Sequence, residues 1–273
     1  MTVLIAALLT TTPLFGQHAD IEFSYEDNVL VLRNGIEGLG DADQIFPGTF
    51  PTSGFAANFT ENPGFLSEVA NGDMLLPGDG IEIEILQTST GSYLTYFDPV
   101  ANAFMPTEAT ISIDDNAGTN TSDLVIGNLE FSGDNPQFIQ TASATGEVHS
   151  HIDFVLDNVE CDPPEDTSGC GAYGFLFRML SDNMSIEDSQ PIWLVFNYGM
   201  SPFDFEDFAI PAFAAPQFLV GDANGDGVVN LLDVAPFVEI LTLGIFDPVA
   251  DINLDGEVNL LDVEPFVMLL TGG

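Results

Sequence analysis

The sequence predicts a mainly β protein, an antiparallel β-sandwich or jelly roll, followed by a small α-helical domain built on two cation-binding loops. Two observations carry this expectation. Residues 18 to about 213 read as short alternating runs punctuated by Gly, Pro, Asn and Asp, with no long stretch of helical period. Residues 222–233 and 251–262 then repeat one oxygen-rich loop, and each copy leads into an amphipathic helical run. A chain of 273 residues has room for one such β domain and one small appended domain.

Charge narrows the partners. The formal net charge is −41, from 43 acidic residues against only Arg33 and Arg178. Such a surface repels nucleic acid and anionic membrane, attracts divalent cations, and stays soluble in salt, where its self-repulsion is screened. With 23 Phe and 45% hydrophobic residues the chain still has the means to build a core, so it is not an acidic disordered protein.

Taken from the start, residues 3–9 form an apolar run too short to span a bilayer, and residues 1–17 read as a secretory signal with cleavage near Gly16 or Gln17. Its leading segment lacks Lys and Arg, an atypical feature. The β domain is expected over 18–210, with strands at 21–25, 29–33, 81–87, 92–97, 110–113, 124–131, 148–156, 173–180 and 192–198. The 40s to 70s, rich in Gly, Pro and Phe, read as a long looped excursion. Cys161 and Cys170 bracket the turn-rich residues 162–169, a loop that a disulfide would staple in an exported protein. Two thiolates nine apart supply only half a metal shell, which disfavours a cysteine metal site.

The chain has three histidines. Alternation along a strand over 148–156 would put His149, His151 and Asp153 on one face, and His18 opens the first strand with Asp20 and Glu22 as face-mates. Imidazoles at i, i+2 can share a transition metal, so His18, His149, His151, Asp20 and Asp153 are the candidate zinc or copper ligands. The ordinary alternative is a solvent-facing pair on an acidic surface. Cleavage just before His18 would add a copper-chelating N-terminal amine and ring.

Residues 211–218 have linker character and lead to the tail, 219–273. In each loop of the tail, side-chain oxygens fall at positions 1, 3, 5 and 12: Asp222, Asn224, Asp226 and Asp233, then Asp251, Asn253, Asp255 and Asp262. The carbonyls of Val228 and Glu257 serve at position 7, and Asn230 and Asn259 at position 9 can hold a water. This is a cage for two calcium ions. Aligning 222–244 on 251–273 gives 16 identities in 23 positions. Val234, Phe237, Val238 and Leu241, and their counterparts Val263, Phe266, Val267 and Leu270, form the apolar faces of two short helices. No helical run precedes either loop, because Pro216 and Pro248 interrupt the approach, so each unit is half an EF-hand.

The tail resembles a type I dockerin, a tandem of calcium loops each followed by one helix, with Asp at position 12. The resemblance covers about a fifth of the chain. It implies calcium-dependent folding and docking onto a cohesin-like or other extracellular scaffold protein, usually in secreted polysaccharide-degrading enzymes or surface assemblies. Positions 10 and 11, commonly small polar partner-reading residues in dockerins, are here Leu231-Leu232 and Leu260-Leu261. These four leucines are the candidate partner-binding residues.

The β region also resembles a family of secreted bacterial proteins expressed under zinc starvation, through Glu61-Asn-Pro-Gly-Phe65, Glu147-Val-His-Ser-His-Ile-Asp-Phe154, Gly171-Ala-Tyr-Gly-Phe-Leu-Phe177 and Pro191-Ile-Trp-Leu-Val-Phe-Asn197, together with His18-Ala-Asp-Ile-Glu-Phe23. That resemblance implies an exported zinc-handling or surface protein with no established catalysis, here with a calcium tail where that family usually has a sorting anchor. The expected function is therefore a secreted or cell-surface, calcium-binding, non-catalytic assembly protein with no membrane span. A polysaccharide hydrolase or carbohydrate-binding component is one alternative and a copper protein using His18 is another. The sequence holds no Gly-x-Ser-x-Gly elbow, phosphate loop or His-Glu-x-x-His helix.

Overall fold

The computed structural model describes residues 20–38, 41–68, 75–114, 122–163, 167–215, 221, 223–224, 229–243, 249–250, 252–253 and 258–271. The expected signal segment, residues 1–17, and His18 lie outside the described residues, as do Asp222, Asp226, Val228, Asp251, Asp255 and Glu257 of the loops.

Seventeen strands are described: β1 (Ile21–Glu26), β2 (Val29–Arg33), β3 (Ile36–Glu37), β4 (Gln44–Phe50), β5 (Phe59–Thr60), β6 (Phe65–Ser67), β7 (Gly80–Leu86), β8 (Leu94–Asp98), β9 (Ala103–Met105), β10 (Thr110–Asp114), β11 (Leu124–Ile126), β12 (Phe131–Ser132), β13 (Gln137–Thr141), β14 (Val148–Ser150), β15 (Asp153–Asp157), β16 (Gly171–Ser181) and β17 (Ile192–Tyr198). They form a four-stranded sheet in the order β14-β6-β1-β2 and a five-stranded sheet in the order β12-β11-β10-β15-β5. An eight-stranded sheet follows β13-β7-β16-β17-β4-β3, with β8 also paired to β16 and β9 to β8. The protein is mainly β, and most pairings are antiparallel, but β1 with β6 and β17 with β4 run parallel.

Alternation explains most of these strands. In β7, Ile81, Ile83 and Ile85 are buried while Glu82 and Glu84 face outward. In β16 and β17 the run is apolar on both faces, which is the pattern of a strand covered on both sides. One face, with Phe175, Phe177, Leu194 and Phe196, shares a core with Ile21 and Phe23 of the four-stranded sheet and Ile111, Ile113 and Phe154 of the five-stranded sheet. The other face, with Ala172, Leu176, Trp193 and Val195, is covered by Phe205, Ile210 and Phe213.

Those covering residues belong to a helical run: α1 (Pro202–Asp204), a π-helical stretch over Phe205–Ala209, and α2 (Ile210–Ala214). Residues 211–214, expected as linker, are therefore helix. Pro211 sits at the junction where the π-helical stretch passes into α2. The Phe213 ring packs edge-on against Trp193 at 5.1 Å and Phe104 at 5.0 Å.

Two further expectations are corrected. The looped excursion contains β4, paired along its whole length with β17. Pro47 and Gly48 disguise that strand, yet Pro47 lies beyond the short reach of β3, which pairs only with Gln44 and Ile45. Gly48 is required by close approach: a Cβ there would stand 2.5 Å from the Phe196 ring, which stacks on Phe50 at 4.4 Å. The expected strand 148–156 is split, because the chain leaves the four-stranded sheet after Ser150 and joins the five-stranded one at Asp153.

Cys161 and Cys170 form a disulfide. Two tyrosines hold its loop: Tyr96 donates to the Cys170 carbonyl at 3.1 Å and Tyr173 to the Gly169 carbonyl at 2.8 Å. Burial, with Asp98 nearby, pushes the Tyr96 hydroxyl up to about 12, and burial raises Tyr173 as well. In the tail, α3 (Val234–Leu243) and α4 (Val263–Thr271) pack through Phe237 and Phe266, whose rings stack at 4.1 Å with Ile240 and Ala250 beside them. Among the described residues no helix is long and apolar enough to cross a membrane.

Candidate functional site

Each tail loop ends in the same hydrogen-bonded clasp. A single turn of 3₁₀ helix, Leu231–Asp233 or Leu260–Asp262, precedes α3 or α4. Asn230 and Asn259 cap these turns, their side-chain oxygens accepting from Leu232 and Leu261 N–H at 2.8 Å. Asp233 and Asp262 complete the capping box by accepting from the Asn230 and Asn259 N–H groups at 2.8 Å. Their other oxygens reach back to the loop start, Asp233 to Asn224 N–H at 3.0 Å and Asp262 to Ile252 and Asn253 N–H at 2.9 and 3.2 Å. Position 12 therefore ties position 3 of its own loop to the helix that follows.

Both position-12 carboxylates are fully buried. A buried carboxylate needs compensation by amides, a cationic partner or a metal. Arg33 and Arg178, the only Arg or Lys side chains of the chain, pair elsewhere, with Glu26 and with Glu84 and Asp188 respectively. A carboxylate offers about four lone-pair positions, so the amide bonds leave room for a hard cation at the same oxygens. The donor set fits calcium on this ground.

The apolar side chains of the tail divide in two. Phe237, Ile240 and Phe266 turn inward. Leu231, Leu232, Leu260 and Leu261 stay 78%, 68%, 78% and 67% exposed, and Val238 and Val267 are 51% exposed each. The near-equal values in the two copies describe one apolar surface presented twice. The face expected from the sequence, Val234, Phe237, Val238 and Leu241, is only partly the inward one: Phe237 is buried and Leu241 partly so, Val234 and Val238 are exposed, and Ile240 is buried without having been expected there.

On the β domain, His149, His151 and Asp20 lie together, with one ligand atom of each within 4.8 Å of the others. Asp153, expected as their face-mate, is not in this group. It belongs to β15 in the other sheet, because alternation does not carry across the break at residues 151–152. His18 lies outside the described residues. Residues 61–64, singled out in the sequence only as part of the Glu61–Phe65 resemblance, contribute backbone that touches both His151 and Asp20.

Residues 220–265 match the family model for the type I dockerin domain. No curated protein matches the chain, and no solved structure matches it. The match supports calcium binding in the tail and a docking role in extracellular assembly.

Proposed function

We propose that the chain is a secreted or cell-surface assembly component without catalysis, in which residues 18–210 form the displayed β domain and residues 219–273 a calcium-loaded docking domain. Calcium would be held by Asp222, Asn224, Asp226, Val228 and Asp233, with Asn230 through water, and by the equivalent Asp251, Asn253, Asp255, Glu257, Asn259 and Asp262. The observation that carries docking is the twofold-repeated exposure of Leu231 and Leu232, and of Leu260 and Leu261, immediately after the loops. Leucines that stapled the tail internally would be buried; adjacent exposed leucine pairs suit a partner. Because the two copies are equivalent, either could meet the same surface of a cohesin-like scaffold protein.

The test is calorimetric titration of the full chain against a panel of cohesin modules, with calcium and with chelator. Leu232→Ser with Leu261→Ser should weaken binding at least about 100-fold, as expected for two central apolar contacts, and shift melting by no more than about 1–2 °C. A drop in melting without loss of binding would mean that the leucines serve the tail's own stability. Release of sugars from a polysaccharide by the purified chain would contradict the non-catalytic reading.

A further inference from the structure

We propose that Asp20, His149 and His151 form a zinc site at the edge of the four-stranded sheet. The strand order places β6 between β1 and β14, so the residue before β1 and the residues in and after β14 come to one end of the same sheet. The His149 and His151 Nε2 atoms face each other at 3.3 Å. With Zn–N bonds of about 2.05 Å and tetrahedral angles, two ligand nitrogens stand about 3.3 Å apart. A zinc ion therefore fits between the rings as they lie. Asp20 Oδ2 stands 3.6 Å from His149 Nε2 and supplies the third ligand.

The surroundings of these atoms are those of a metal site. His151 Nδ1 lies 2.9 Å from the Glu61 carbonyl, a geometry in which Nδ1–H donates and Nε2 keeps its lone pair for a metal. Asp20 Oδ1 accepts from Gly64 N–H at 3.1 Å, which leaves Oδ2 for coordination, and the Gly64 carbonyl accepts from Ile21 N–H at 2.8 Å. The His151 ring lies directly on Gly64, where a Cβ would stand 2.6 Å from its Cε1 atom. Residues 61–64 thus aim both a histidine and a carboxylate from outside the coordination shell. An N–H···N bond between the rings would account for their spacing, but not for the carboxylate held beside them with one oxygen left over.

Three protein ligands leave a fourth position for water or an added ligand, the arrangement of an exchangeable or catalytic-type zinc site and not of a closed structural one. Imidazole with carboxylate favours zinc over calcium, so this site fills independently of the tail loops.

The experiment is a competition titration of the full chain with zinc against a chromophoric chelator, at saturating calcium, with cobalt absorption as a second readout of tetrahedral coordination. The wild-type chain should bind one zinc with a dissociation constant below ~1 μM. His149→Ala and His151→Ala should each weaken binding by about 100-fold, and Asp20→Asn by about 10-fold. Gly64→Ala, which removes no ligand atom, should also weaken it by about 10-fold through displacement of the His151 ring. Circular dichroism confirms that each variant is folded. Zinc bound no tighter than ~10 μM, or bound equally by wild type and the histidine variants, would be adventitious uptake by the acidic surface and would overturn the proposal.

Discussion

Glu82 stands on β7 between Ile81 and Ile83 and is held above the ordinary carboxylate range, first by burial and then by the Asp182 carboxylate. A folded-state pKa above the unfolded value of 4.5 means that the native protein keeps this proton to higher pH than the unfolded chain. Stability is therefore full below that value, falls as pH rises through the window above it, and stays reduced at neutral pH. Glu82→Gln removes the charge without removing the volume. It should raise the melting temperature at pH 7 by on the order of 1 °C, a small gain because Glu82 is partly solvated, and give no gain at pH 4. Melting at the two pH values checks the sign, and an equal shift at both would assign the effect to packing. At this scale the sequence was legible in its ligand types and not in their company. His149 and His151 could be picked out, but the Glu61 carbonyl and the Gly64 amide are backbone groups brought near by a pairing between β1 and β6 that residue identity does not encode.

At the scale of elements, legibility followed burial on one face or two. Strands such as β2 and β10, and β7 from Ile81 on, bury every second residue and announce themselves by alternation. β4 does not, since Pro47 and Gly48 imitate a turn, and the helical run over 202–214 was hidden by its two prolines and brevity. Yet Phe205, Ala209, Ile210 and Phe213 are all buried, and they repeat at helical spacing. This run covers the outer face of β16 and β17, so it is part of the β domain's stability. Phe213→Ala should cost about 3–5 kcal/mol, and lower melting by about 10 °C, through the cavity left against Trp193 and Gly174. Thermal melting of the variant checks this; an unchanged transition would restore the segment to the role of a linker.

The whole molecule joins two stability regimes. The β domain has three sheets around a shared core, a disulfide, and a second apolar layer under its helices. The tail has helices of 10 and 9 residues and, among the described residues, four buried apolar ones, Phe237, Ile240, Ala250 and Phe266. Isolated helices shorter than about 12–15 residues are marginal in water, and so small a core does not compensate. In the calcium-loaded tail proposed above, each loop would also bring three carboxylates together, which repel one another without the ion. Two calcium ions bound with ~10 μM affinity at ~10 mM calcium would each contribute about 4 kcal/mol, enough to make the difference between folded and unfolded. The sheet order and its two parallel pairings were not legible in the sequence, because local alternation determines which residues face inward and not which strands meet.

Hydrogen exchange on the full chain, read segment by segment in calcium and in chelator, tests calcium-dependent folding most directly. Removing calcium should abolish protection across α3 and α4 while leaving β16 and β17 protected, and Asp226→Ala with Asp255→Ala should reproduce that state at millimolar calcium. Protection of both helices that persists unchanged in chelator would contradict the account.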